Sequence, residues 1–169
     1  GYSTCPVCVA ARLTVRTGCD PPTTRVFSNA RSEPVSGQPE TMEGRCGDYL
    51  ARTMNNLGYR TFGVGKFHTG PWNEEVGYEV QLHSEELYGS PEQRSGDAFA
   101  GWITREHPEF DYIEALMGER TEMYYMPQVS PLPAHLTVES WAADRAVSPA
   151  YLKSSVDESS PKGRHSSFF

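Results

Sequence analysis

The chain has 169 residues, 37% hydrophobic and 22% charged, the composition of a folded domain with a core of ordinary size. Its 15 basic and 22 acidic residues leave a net charge of −7, which argues against general nucleic-acid binding and obliges any anionic ligand to find a local basic pocket. No apolar run approaches the ~18 residues of a membrane span, and the opening "GYSTCPVC" has neither the charged nor the apolar region of a signal peptide.

After Cys8, "VAARLTVRT" predicts a short helix that Gly18 stops. "CDPPTTRVFSNARSEPVSGQPE" is rich in Pro, Ser, Asn and Gly and reads as a long irregular segment. Thr41 then caps a single helix, with Met42, Cys46, Tyr49, Leu50, Thr53, Met54 and Leu57 at helical spacing and Gly58 at its end. "YRTFGVG" predicts a strand running straight into "KFHTGPW". Residues 72–133 are turn-rich, with a helix expected to end near Pro108 and "MYYMPQVSPLPAH" extended. "LTVESWAADRAV" predicts a last helix, opened by Thr137 and ended by Pro149. This order of elements suggests an α/β fold, although the visible strands are few for a complete sheet.

Four cysteines, Cys5, Cys8, Cys19 and Cys46, are too sparse for a disulfide scaffold and favour a reduced, cytoplasmic compartment. The CxxC pair of Cys5 and Cys8 opens several readings. As half of a tetrahedral zinc site it needs a second pair, but Cys19 and Cys46 are isolated and His68 has no HxxxH partner. A thioredoxin-like redox pair would follow a strand, and none precedes Cys5. Both cysteines could also be small buried hydrophobes. Alternatively Cys8 alone is reactive. It sits in the first helical turn, where unpaired N–H groups favour negative charge, with Arg12 one turn on along the same face.

The stretch "PVCVAARLTVRTG" resembles the sulfatase signature, Cys-x-Pro-Ser-Arg followed at fixed distance by Leu/Met-Thr-Gly. Cys8, Arg12, Thr17 and Gly18 match in identity and spacing. Ala10 and Ala11 stand where the family has Pro and Ser, and Arg16 where it has an apolar residue. A second segment, "LGYRTFGVGKFHTGP", resembles the second motif of the family, matching at Gly58, Tyr59, Thr61, Gly65, Lys66 and His68. On the residues alone, positions two apart on an extended segment point the same way. Lys66 and His68 are therefore expected to project together from the strand's end, where ligands sit in α/β sheets. Gly63 and Gly65 would allow close approach there. "TTRVFSNA" and "HLTVESWAADRAV" are similar to later segments of bacterial sulfatases, and "SSFF" stands where their next core strand would begin.

The resemblance implies an alkaline-phosphatase-like sandwich, a mixed sheet flanked by helices. Residues 1–169 would form a partial catalytic domain lacking the first strand upstream and the later metal-binding strands. It implies a sulfuric ester hydrolase in which a formylglycine-generating maturation enzyme oxidises Cys8 to the catalytic aldehyde, and whose substrate is a small-molecule sulfate ester. Cys8, Arg12, Lys66 and His68 would be catalytic, with Lys66 and His68 also binding sulfate. The family's cation, calcium or magnesium, would find only the modified Cys8 as a ligand in this chain. None of Asp20, Asp48, Asp97, Asp111, Asp144 and Asp157 adjoins another Asp or Asn, and Glu74 with Glu75 reads as solvated charge. Hydrolysis by these 169 residues alone is therefore expected to be slow. His83, His107, His135 and His165 read as surface or structural, and Met123, Tyr124, Tyr125 and Met126 as pocket or core. The alternatives are a phosphonate or phosphate ester hydrolase of the same superfamily and a non-catalytic, metal-binding CxxC module.

Overall fold

In the computed structural model, which describes residues 2–29, 41–70, 72–85, 90–110 and 129–148 and the backbone of 166–168, helix α1 spans Cys8–Thr17. Ala10 and Leu13 bury one face and Val15 stays exposed on another. Gly18 ends the helix at φ 72 with its N–H on Thr14 O, and Thr17 Oγ1 donates back to Leu13 O at 2.7 Å. The expected stop is where the sequence puts it. Within the stretch expected to be irregular, Asp20 accepts from Thr23 N and Pro21 takes the first helical position, which starts a single turn, α2 (Pro21–Thr24).

Thr41 caps as expected, accepting from Gly44 N, but the one predicted helix is two: α3 (Met42–Cys46) and α4 (Leu50–Asn56). Gly47 adopts φ 77 and ψ −164, a conformation no helix contains. The break turns Tyr49 inward, 2% exposed, where its hydroxyl donates to Glu74 Oε1 at 3.0 Å. Glu74 is thus half-buried and engaged, while Glu75 is exposed as expected.

Strand β1 (Arg60–Gly65) runs parallel between β2 (Val80–His83) and β3 (Ser166–Phe168). β3 lies where "SSFF" was expected to begin a strand, whereas β2 lies in the segment that reads as turn-rich. Alternation along β1 gives its two faces different partners. Thr61 Oγ1 donates to Asn55 Oδ1 of α4 at 2.7 Å, and Gly63 backs onto Phe67 and Tyr78. Val64 instead joins the core made by α6 (Ala98–Glu106) and α7 (Val138–Val147), around Phe99, Ile103, Leu136 and Trp141. The other core gathers Ala10, Leu13, Val26, Tyr49, Phe67 and Val76. Helices covering both faces of a parallel sheet make an α/β arrangement.

Asp97 divides the helix expected before Pro108 into α5 (Pro91–Gly96) and α6, and caps the latter by accepting from Ala100 N. Thr137 opens α7 as predicted, accepting from Ser140 N. Pro149, His165, Met123, Tyr124, Tyr125 and Met126 lie outside the described residues, as do Asp111 and Asp157. Among the described residues no helix is long and apolar enough to cross a membrane.

Candidate functional site

A cleft of about 510 Å³ opens between α1, α4 and the end of β1. Cys8, Arg12 and Arg16 line it from α1 and Lys66 lines it from the residue after β1. Val15, Leu50, Val64, Val76 and Tyr78 give it apolar walls. Gly63 keeps its floor thin: a Cβ there would stand 2.6 Å from Phe67 Cζ and 2.9 Å from Tyr78 Cδ2.

Cys8 is exposed in the first turn of α1, whose N-cap Val7 offers no side-chain acceptor. Arg12, one turn along, donates from Nη1 to Lys66 O at 2.6 Å. That bond ties the two sequence motifs to each other. Cys8, Arg12 and Lys66 are therefore together.

His68 is not with them. It lines a smaller neighbouring pocket of about 70 Å³ with Val9, Met42 and Glu74, and Arg16 lies on the wall between the two spaces. The expectation that Lys66 and His68 project alike fails because the backbone leaves the extended region. Gly65 has φ 108 and His68 φ 54, so two-residue alternation ends with the strand. Glu85 holds this turn, its Oε1 accepting from Phe67 N at 2.9 Å and His68 N at 2.8 Å. Burial pushes the Glu85 pKa up, but the His83 hydrogen bond and the two backbone N–H groups outweigh it and hold the carboxyl below its ordinary value. Glu85 N in turn donates to Asp97 Oδ2 at 2.7 Å, and burial holds Asp97 above the ordinary aspartate value.

Sequence reasoning passed over Glu85 and took Arg16 only as a departure from the signature. Glu85 binds backbone N–H groups 17 and 18 residues away, a relation no motif encodes. Arg16 stands one turn beyond Arg12, a signal that was visible in the sequence. His83, read as a surface or structural histidine, is buried and lies tilted against Phe67 at 4.5 Å between ring centres.

The cysteines of the CxxC pair are engaged separately. Cys5 Sγ donates to Phe27 O at 3.6 Å, while Cys8 faces the cleft. Burial and its hydrogen bond with Cys19 push the Cys46 thiol up to about 11. A hard divalent cation needs several oxygen ligands around one point. Among the described residues the cleft lining has no Asp or Glu, and no group of three or more His, Cys, Asp or Glu could hold a metal. These residues do not fit calcium or magnesium.

Comparison of the chain with protein-family models, with curated proteins and with solved structures yields no match.

Proposed function

We propose that the chain carries the nucleophile of a sulfate-monoester hydrolase, a formylglycine made from Cys8, on a fold of the alkaline-phosphatase type. One observation carries the reading. Two segments that each resemble a sulfatase motif meet at one cleft, through a hydrogen bond between residues 54 positions apart.

A separate maturation enzyme, with dioxygen as the oxidant, would take two electrons from Cβ of Cys8 and release the sulfur as hydrogen sulfide, leaving an aldehyde that water hydrates to a geminal diol. One hydroxyl loses its proton and attacks the ester sulfur. The bond from sulfur to the alcohol oxygen breaks, the alcohol leaves with a proton, and the enzyme is left sulfated. The second hydroxyl then loses its proton, the C=O bond re-forms and sulfate departs, so one water is consumed per turnover. Dividing the displacement in this way is covalent catalysis. Arg12 offsets charge on the diol and the sulfuryl oxygens, and Lys66 does so on the sulfuryl and leaving oxygens. His68, which opens on the neighbouring pocket, is assigned no proton transfer. Phosphate and phosphonate monoesters present a similar tetrahedral anion and are the competing substrates.

The test is to produce the chain together with a formylglycine-generating enzyme and to map its peptides by mass. The aldehyde is expected at Cys8, with Cys5 intact. Phenyl sulfate should be hydrolysed in preference to phenyl phosphate, Cys8→Ala should abolish turnover, and Arg12→Ala should lower it by about 10²–10³-fold, the usual cost of one lost oxyanion donor. Modification at Cys5 alone, or turnover that survives Cys8→Ala, overturns the reading.

A further inference from the structure

Arg16 is the part of the cleft that this chemistry does not use. It shares the lining with Cys8, Arg12 and Lys66, and it stands where the sulfatase signature has an apolar residue. Its guanidinium lies over the Phe67 ring at 5.2 Å, and its Nη1 is buried without a hydrogen-bond partner. No described carboxylate pairs with it, and the described lining contains no acid. Burial, with Arg12 adding to it, holds the Arg16 pKa below the usual arginine value against the opposing pull of Tyr78, Tyr49 and Glu85, although a guanidinium stays charged at any physiological pH. Like charges one helical turn apart repel, and a buried donor without an acceptor costs stability. In a chain of net charge −7, two arginines one helical turn apart, with no described carboxylate paired to either, are arranged for an anion that comes from outside.

We propose that Arg16 binds a second anionic group, a carboxylate or another sulfate, on the same ligand whose sulfate lies against Arg12 and Lys66. The position of the first anion rests on the sulfate-ester reading of the cleft. Side chains one turn apart start about 5–6 Å from each other, a span that meta substituents on a six-membered ring can bridge. The walls formed by Val15, Leu50, Val76 and Tyr78 suit such a ring, and the volume of about 510 Å³ accommodates it. The ligand class is thus a dianionic sulfate ester of an acidic alcohol or phenol. A guanidinium that only packs on Phe67 would not distinguish ligands by their second charge.

The test is isothermal titration of the unmodified chain, as wild type, Arg16→Met and Arg16→Lys, with phenyl sulfate, 3-sulfooxybenzoate and isophthalate. Wild type should bind 3-sulfooxybenzoate at least about tenfold more tightly than phenyl sulfate, the scale of one charge-assisted hydrogen bond. That ratio should fall to about one in Arg16→Met and be partly kept in Arg16→Lys, which has the charge without the planar fork. Should circular dichroism show Arg16→Met to be unfolded, the drop in ratio from wild type to Arg16→Lys decides. Equal affinity of wild type for the two esters, or a preference that does not change with residue 16, overturns the role of Arg16 and leaves the ester reading standing. Isophthalate bound in an Arg16-dependent way, with neither ester bound, overturns the ester reading and keeps Arg16 as an anion site. Binding of no probe overturns both.

Discussion

Among single residues, Glu85 and Asp97 form a buried acidic pair with opposite responses to pH. Glu85 has a folded pKa depressed below 4.5. Its contribution to stability is fully present above that value and is lost as pH falls through the lower folded value. Asp97 is raised above 3.8, so its charged form opposes folding, and that penalty is relieved as pH falls through the raised value. Stability should therefore hold as pH drops towards about 5 and decline only in the more acid range. Glu85→Gln should cost about 1–3 kcal/mol at pH 7, because a neutral amide oxygen replaces a carboxylate accepting two backbone N–H groups. It should also flatten the decline below pH 4.5. Melting temperatures of both proteins from pH 7 to pH 3 test this, and an unchanged acid limb in Glu85→Gln would assign the decline to other groups. Residues of this kind are hard to read from sequence. That Cys8, Arg12 and Lys66 line one cleft was legible, because residues four apart share a helix face and Lys66 directly follows the strand. His68 was misplaced because its spacing was interpreted on an extended backbone that Gly65 had already ended.

At the scale of elements, ends were more legible than interruptions. Gly18, Thr41 and Thr137 each act by a local bond within a few residues, so their signals survive without tertiary information. The break at Gly47 was hidden because the apolar spacing continues across it, and only the demand of the core for Tyr49 distinguishes two helices from one. Strand β2 was missed because four residues give too short an alternation to stand out from surrounding turns. β1 depends on its glycine in a way that can be measured. Gly63→Ala should press against two aromatic rings and cost about 1–3 kcal/mol, the usual range for overpacking. Because Phe67 and Tyr78 also line the cleft, phenyl sulfate affinity should fall with stability. Denaturant midpoints and titration on the same preparation would show it, and a stable variant with unchanged affinity would mean that the rings yield without consequence.

For the molecule as a whole, an α/β class followed from the order of helices and strand, but the strand order did not. Phe62 pairs with Val80 on one side and with Phe168 on the other. The second pairing closes a loop roughly six times longer, which costs about 1.5 kcal/mol more in chain entropy. No local pattern reports a partner that distant. The same asymmetry gives the molecule a history as well as a shape. Every described residue lining the cleft falls between Cys8 and Tyr78. The β1–β2 pairing, α1 and α4 can assemble while β3 is still searching, since local contacts form before distant ones. Amide exchange under native conditions should then find the bonds between β1 and β3 opening at lower free energy than those between β1 and β2. A single opening energy for both sides of β1 would mean that the sheet forms all at once. On the expected result, β3 joins after β1 and β2 have paired, and the described walls of the cleft do not wait for it.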